Sequence, residues 1–237
     1  VMFKAVLFDL DGTLLNIDMD YFLKHYFRKM VELAAEMGYK DGHLLVNQVW
    51  RSTEVMIADL NPESSNEEVF MKDFCQNWPY SEDEIKNFFD HYYQECFPRL
   101  KDYCSPFLGI PEMVKYIMKQ DLKVVIATNA VFPMSALQDR IRWAGLGKHD
   151  FELVTSYELM HFCKPHVQYY EEIVERIGVH PEECLMIGND TGEDLPASKI
   201  GMKTFLVEDM LIDKSSNHQP DWRGRLPDLF DFVRKNL

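Results

Sequence analysis

The stretch Val6-Leu7-Phe8-Asp9-Leu10-Asp11-Gly12-Thr13-Leu14 constrains the fold more than any other part of the chain. An apolar run of about six residues, rich in Val, Leu and Phe, is the pattern of a strand buried on both faces of a parallel sheet. Two carboxylates follow at its carboxyl end, the edge where open α/β sheets bind ligands. Gly12-Thr13 then lets the backbone turn sharply and leaves N–H groups pointing outward. Two acids this close either gather a divalent cation or divide nucleophile and acid roles between them. Both uses rest on the pKa separation that mutual repulsion supplies.

After Leu15 the pattern turns helical for about 90 residues. Phe22, Tyr26, Met30, Leu33 and Met37 recur every three or four positions and share one helical face, with Gly38 as the stop. Further helices are expected over residues 43–59, from 66 to before Pro79, and from Ser81, where Ser81 and Glu84 form a capping box. The last of these turns Ile85, Phe88, Phe89, Tyr92, Tyr93 and Cys96 inward. No strand is expected between residues 15 and 106, so the block reads as a separate small bundle inserted straight after the first strand.

From Pro106 onward helix and strand alternate. Helices are expected at residues 110–120, 134–144, 166–177 and 194–200, with a last one at 226–235. Strands are expected at 123–127, 151–155, 184–187 and 203–207. That order implies a doubly wound parallel sheet of the α/β class. The expected division is a core of residues 1–14 and 106–237 and a helical insert of residues 15–105.

Charge narrows the partners. A formal net charge of −14 over 237 residues repels nucleic acid and anionic lipid, and no Lys/Arg cluster offsets it. A small molecule is the expected partner, and an anionic one needs a cation or a focused positive site. The five cysteines, Cys75, Cys96, Cys104, Cys163 and Cys184, are widely spaced with no C-x-x-C pair. This suits a reduced, cytoplasmic setting and neither a zinc site nor a disulfide framework. Asp9 and Asp11 interrupt the N-terminal apolar run, so neither a signal peptide nor a membrane span is expected.

A doubly wound sheet gathers its strand ends along one edge, and several of those ends carry chemistry. Thr128-Asn129 follows a Val/Ile-rich strand, Lys164-Pro165 precedes a helix, and Gly188-Asn189-Asp190-Thr191-Gly192-Glu193-Asp194 follows another strand. Together with Asp9-Leu10-Asp11-Gly12-Thr13 they resemble, in order and context, the four motifs of the haloacid dehalogenase-like (HAD) hydrolase superfamily.

The resemblance implies a Rossmann-like HAD core and a phosphatase chemistry. Asp9 is then the nucleophile that forms an aspartyl-phosphate, and Asp11 the acid that protonates the leaving alcohol and later deprotonates water. Lys164 bridges Asp9 and the phosphate, while Thr128 and Asn129 fix phosphoryl oxygens. Mg2+ is the implied cofactor, held by a carboxylate oxygen of Asp9, the backbone carbonyl of Asp11 and an acid of the fourth motif. The commonest family spelling puts Asp directly after the glycine, where this chain has Asn189. Asp190 is therefore expected as the direct ligand and Asp194 as one acting through water or another group, with Asn189 the fallback.

The position of the insert resembles the family's C1-type cap, a helical lid over the core site. Asp11 argues against dehalogenation, because dehalogenases typically lack an acid two residues after the nucleophile. Three alternatives to phosphomonoester hydrolysis remain. One is a phosphomutase, and another a phosphonatase using a cap lysine such as Lys24, Lys29 or Lys40. The third is a phosphoacceptor that does not turn over. The sequence is silent on the particular phosphorylated substrate and on oligomeric state.

Overall fold

A computed structural model of the chain describes residues 2–237. Strand β1 (Ala5–Phe8) has all four side chains buried, as its unbroken apolar run requires. After the Asp9–Thr13 turn comes a two-residue strand, β2 (Leu15–Asn16), which leads into α1 (Met19–Glu36), α2 (Gly42–Ala58), α3 (Asn66–Asn77) and α4 (Glu82–His91). Ser65 and Ser81 start α3 and α4 with reciprocal capping boxes to Glu68 and Glu84. Phe70, Phe74, Ile85, Phe88 and Phe89 form the inner face of this bundle, with Phe74 and Phe89 edge to face at 5.4 Å between ring centroids.

Beyond α4 the chain loosens into a π turn (Tyr92–Cys96) and then tightens into a 3-10 segment (Phe97–Tyr103). Tyr92 donates a hydrogen bond to the Tyr26 carbonyl at 2.7 Å, tying this bend back to α1. The chain returns through β3 (Ser105–Pro106), which pairs antiparallel with β2. The two strands linking bundle and core thus form their own small ladder, the one strand feature at the edges of the region expected to lack strands. Two residues per strand are too few for a periodic signal.

The core continues with α5 (Ile110–Met118), β4 (Lys123–Ile126), α6 (Met134–Trp143), β5 (Leu153–Val154), α7 (Val167–Ile177), β6 (Cys184–Gly188), β7 (Lys203–Val207), β8 (Trp222–Gly224) and α8 (Leu226–Asn236). Six strands form one parallel sheet in the order β5-β4-β1-β6-β7-β8, so β1 lies inside with β4 and β6 as neighbours. Chain direction reverses its winding at β1, which places the crevice for a ligand beside Asp9. The α/β class and the parallel sheet with an inserted helical bundle agree with the sequence reading. Residues 194–200, expected as a short helix, form a 3-10 segment (Leu195–Ile200), and the edge strand β8 was not expected. Among the described residues no helix is long and apolar enough to cross a membrane.

Bundle and core are fastened directly. The N–H groups of Asn66 and Glu67, in the first turn of α3, donate to the carbonyls of Met160 and Tyr157 at 2.8 and 2.9 Å. The buried Asn66 amide donates to the Ala130 and Phe162 carbonyls at 3.0 and 3.2 Å. His166 Nε2 lies 2.8 Å from the Ile57 carbonyl at the end of α2.

Candidate active site

The Asp9 N–H donates to the Ile187 carbonyl at 2.8 Å, so the β1–β6 ladder holds the acid at the strand end. Gly12 adopts a left-handed φ of 83°, and a Cβ there would lie 2.3 Å from Asn189 Nδ2. Glycine at this position permits both the turn and the close approach of the loop after β6. Thr13 Oγ1 completes that contact by donating to Asn189 Oδ1 at 3.2 Å.

Lys164 is the pivot of the site. Its Nζ lies 2.9 Å from Asp9 Oδ1 and 2.7 Å from Asp194 Oδ1, and its side chain is fully buried. Burial alone would lower the ammonium's pKa, but Asp194 and Asp9 outweigh it and hold it well above the usual lysine range. Asn129 Oδ1 accepts the Lys164 N–H at 3.0 Å, and the Lys164-Pro165 bond that follows is cis. Of the expected bridge between Asp9 and phosphate, the structure contains the Lys164–Asp9 contact.

Asp194 does not cap the segment after it, a possibility its position allows. Its Oδ2 accepts the Asp190 N–H at 2.9 Å while Oδ1 orients Lys164. A Cβ on Gly188 would lie 2.1 Å from Asp194 Oδ2, so this glycine leaves room for the carboxylate to reach across. Asp190 Oδ1 accepts the N–H groups of Gly192 and Glu193 at 2.8 and 3.0 Å, and its Oδ2 meets Lys214 Nζ at 2.8 Å. Asn189 points elsewhere, its amide donating to the Met210 carbonyl at 2.6 Å.

Asp11 pairs through Oδ2 with Arg140 of α6, whose side chain is fully buried with its guanidinium 4.3 Å from the centroid of the Phe132 ring. Asp11 Oδ1 is buried and has no hydrogen-bond partner among the described residues. Burial lifts the Asp11 carboxyl above its ordinary range and Arg140 opposes the lift. For Asp9, burial pushes the carboxyl well up, Lys164 pulls it back, and Asp194 and Asp11 push it up again.

Thr128 is buried at the end of β4. Its carbonyl accepts from the Tyr169 hydroxyl at 2.6 Å and from Thr155 Oγ1 at 2.7 Å. This fixes the loop while the residue still lines the cavity over the site. The side chain of Asn129, expected to reach phosphoryl oxygens, is turned to the Lys164 N–H and, at 3.5 Å, to Glu193.

Asp9, Asp11, Thr128, Asn129, Asn189, Asp190 and Asp194 all line one cavity of about 650 Å³. The site was read from sequence without two cations, Arg140 and Lys214. Arg140 had a signal: it stands on the apolar face of its helix, three and four positions after Leu137 and Ala136, where a cation needs a partner. Lys214 lies in a loop and had none.

Five carboxylates, Asp9, Asp11, Asp190, Glu193 and Asp194, face three cations, Lys164, Arg140 and Lys214. The excess negative charge and the oxygen-only donors suit a hard divalent cation. Among the described residues no three His, Cys, Asp or Glu side chains form a ready-made cage.

Known proteins resemble this chain in sequence and in fold. The family profile for haloacid dehalogenase-like hydrolases matches residues 3–200. A Clostridium perfringens protein named as a candidate pyrophosphatase, PpaX, is 26% identical over 240 residues, covering 99% of each chain. The pyrimidine 5'-nucleotidase PynA of Streptococcus pneumoniae is 25% identical over 245 residues, 100% of this chain and 98% of that one. A HAD phosphatase structure from Thermococcus onnurineus superposes with a TM-score of 0.59 at 19% identity, covering 98% and 96% of the two chains, and shares the fold. With its four motifs gathered at one sheet edge, the chain belongs to the haloacid dehalogenase-like hydrolases.

Proposed function

We propose that the chain hydrolyses the phosphomonoester of a small metabolite, with Mg2+, through a phosphoryl group carried on Asp9. That it is a phosphoric monoester hydrolase follows from its family and its phosphatase relatives; the intermediate, the metal and the residue roles are proposed. The observation that carries them is Lys164, buried and clamped between Asp9 and Asp194, two acids that line the cavity.

A carboxylate approaching a phosphate dianion meets repulsion of about 4 kcal/mol per pair of unit charges at ~4 Å and an effective dielectric of ~20. Lys164 offsets part of this at Asp9 Oδ1, and Asp194 keeps the ammonium aimed. Asp9 attacks phosphorus and becomes an aspartyl-phosphate as the leaving alcohol departs. Asp11 gives that alcohol its proton and then takes one from the water that cleaves the intermediate. Oδ1 is the free oxygen for both transfers, since Arg140 holds Oδ2. Thr128 and the backbone beside it hold phosphoryl oxygens. Asp9, the Asp11 carbonyl and Asp190 would hold Mg2+, with Asp194 supporting Asp190. The ion would supply charge neutralisation for the incoming phosphate.

Residues 15–105 act as the lid over this site and the paired β2–β3 strands as its hinge, excluding water until the leaving group is in place. Five thiols free of disulfides suit a cytoplasmic setting. A phosphonatase would need a cap lysine at the site, and Lys24, Lys29 and Lys40 are not among the cavity's lining residues. Release of phosphate from a generic aryl phosphate, abolished by EDTA and by Asp9→Asn, tests the proposal; turnover indifferent to both would overturn it.

A further inference from the structure

The two curated relatives described above are named for different substrates, an inorganic diphosphate and a pyrimidine nucleotide. The cavity over Asp9 bears on which kind of leaving group this chain accepts. Its volume of about 650 Å³ lies within the ~300–1,000 Å³ range of pockets that bury most of a drug-sized ligand. A phosphoryl group occupies only its floor.

The walls above that floor are aromatic and aliphatic. Tyr26, Phe27, Trp50 and Phe89 line them from the bundle, and Phe132 and Tyr157 from the core. Trp50 packs against Phe27 with ring centroids 5.2 Å apart and remains 46% exposed, and Leu211 and Ile212, also exposed, line the same cavity. Polar groups here are largely satisfied: the Tyr26 and Tyr93 hydroxyls bond each other at 2.8 Å, and Thr53 donates to the Val49 carbonyl at 2.7 Å.

Charge points the same way. Among the lining residues the single cation is Lys214, which Asp190 and Glu193 already engage at 2.8 and 3.0 Å. The bundle contributes acids, Asp18 and Asp20, and no Lys, Arg or His to the lining. A leaving group bearing a carboxylate or a second phosphate would meet no free cation there and would be repelled by those acids.

From these observations we infer that the substrate is a phosphate monoester whose leaving group is uncharged and carries a large flat aromatic or heteroaromatic ring. The ring lies between the bundle aromatics and Phe132 or Tyr157, while the phosphate reaches Asp9. This rests on the phosphatase reading and adds the class of alcohol released.

The test compares naphthylmethyl phosphate, ethyl phosphate, phosphoglycolate and inorganic pyrophosphate, with Mg2+ present and free phosphate measured. Naphthylmethyl and ethyl phosphate release alcohols of similar acidity, so their ratio reports binding of the ring rather than leaving-group chemistry. The expected result is a kcat/KM for naphthylmethyl phosphate at least about tenfold above that for ethyl phosphate, with phosphoglycolate and pyrophosphate below both. Trp50→Ala and Phe27→Ala should each narrow the naphthylmethyl-to-ethyl ratio severalfold; Trp50 is exposed enough for its variant to fold. Release without a preference for the ring, a preference for an anionic leaving group, or a ratio unmoved by both variants would overturn this inference alone. Release from none of the four would overturn the phosphatase reading and this inference with it.

Discussion

Arg140 and Asp11, 129 positions apart in sequence, meet in a buried ion pair that joins α6 to the loop after β1. The guanidinium is fully enclosed, while the carboxylate keeps one oxygen unpartnered beside the cavity. In the proposed mechanism, proton transfer at Oδ1 is thereby separated from charge stabilisation at Oδ2.

On the proposed mechanism, the pair should set the pH dependence of the reaction. Burial raises the Asp11 carboxyl and Arg140 lowers it. Asp11 must be protonated to act as an acid, so activity falls on the alkaline side as that proton is lost. Arg140→Met removes the lowering influence, and the alkaline limb of kcat/KM should move to higher pH. The same variant should lose about 3–5 kcal/mol of stability, the usual cost of breaking a buried pair from one side. Asp11→Asn should lower kcat about 10²–10⁴-fold on alkyl phosphates. A pH profile unchanged in Arg140→Met would detach the arginine from the chemistry.

One ammonium, Lys164, sits between two buried carboxylates, Asp9 and Asp194. The raised Asp9 pKa means that the folded, metal-free protein binds a proton that the unfolded chain releases from about pH 3.9 upward. Stability therefore falls as pH rises from that value through the folded-state pKa. Asp9→Asn leaves one ammonium with one carboxylate and should melt a few degrees higher than the parent without metal. Adding Mg2+ should raise the melting temperature of the parent more than that of the variant. Thermal melts with and without Mg2+ check both signs.

Lys214 occupies the Asp190 oxygen that a cation would use, and its side chain is 47% exposed. A cation entering the site must compete with that ammonium. Lys214→Met should lower the Mg2+ concentration for half-maximal activity severalfold, and an increase would assign the lysine a supporting role instead.

The bundle is latched to the core through Asn66, whose amide reaches two core carbonyls. Asn66→Ala leaves buried acceptors unpaired and should cost about 1–3 kcal/mol. If the latch must open in each cycle, kcat should rise or hold while stability drops, as paired denaturation and steady-state measurements would show.

Much of this fold is written locally. β1, β4, β6 and β7 announce themselves as apolar runs because both faces are buried, and α4 begins at the serine and glutamate that cap it. Asp9, Lys164 and Asp194 could be brought together on paper because parallel strands share one functional edge. What escaped depends on contacts between distant segments. Strand β8 has three residues and takes its register from β7, and the Arg140–Asp11 and Lys214–Asp190 pairs exist only once the loops are packed. The sequence aims Asn129 at phosphoryl oxygens and keeps Asn189 as a fallback metal ligand, but it does not contain the contacts that orient them. Their directions are set by the Lys164 N–H and the Met210 carbonyl.

The most direct measurement is acid quench during turnover of a phosphomonoester with Mg2+, followed by peptide mapping by mass spectrometry. A phosphoryl group on the peptide that contains Asp9, absent from the Asp9→Asn variant, is the predicted result. Full turnover by Asp9→Asn, or the phosphoryl group on another residue, would contradict the account.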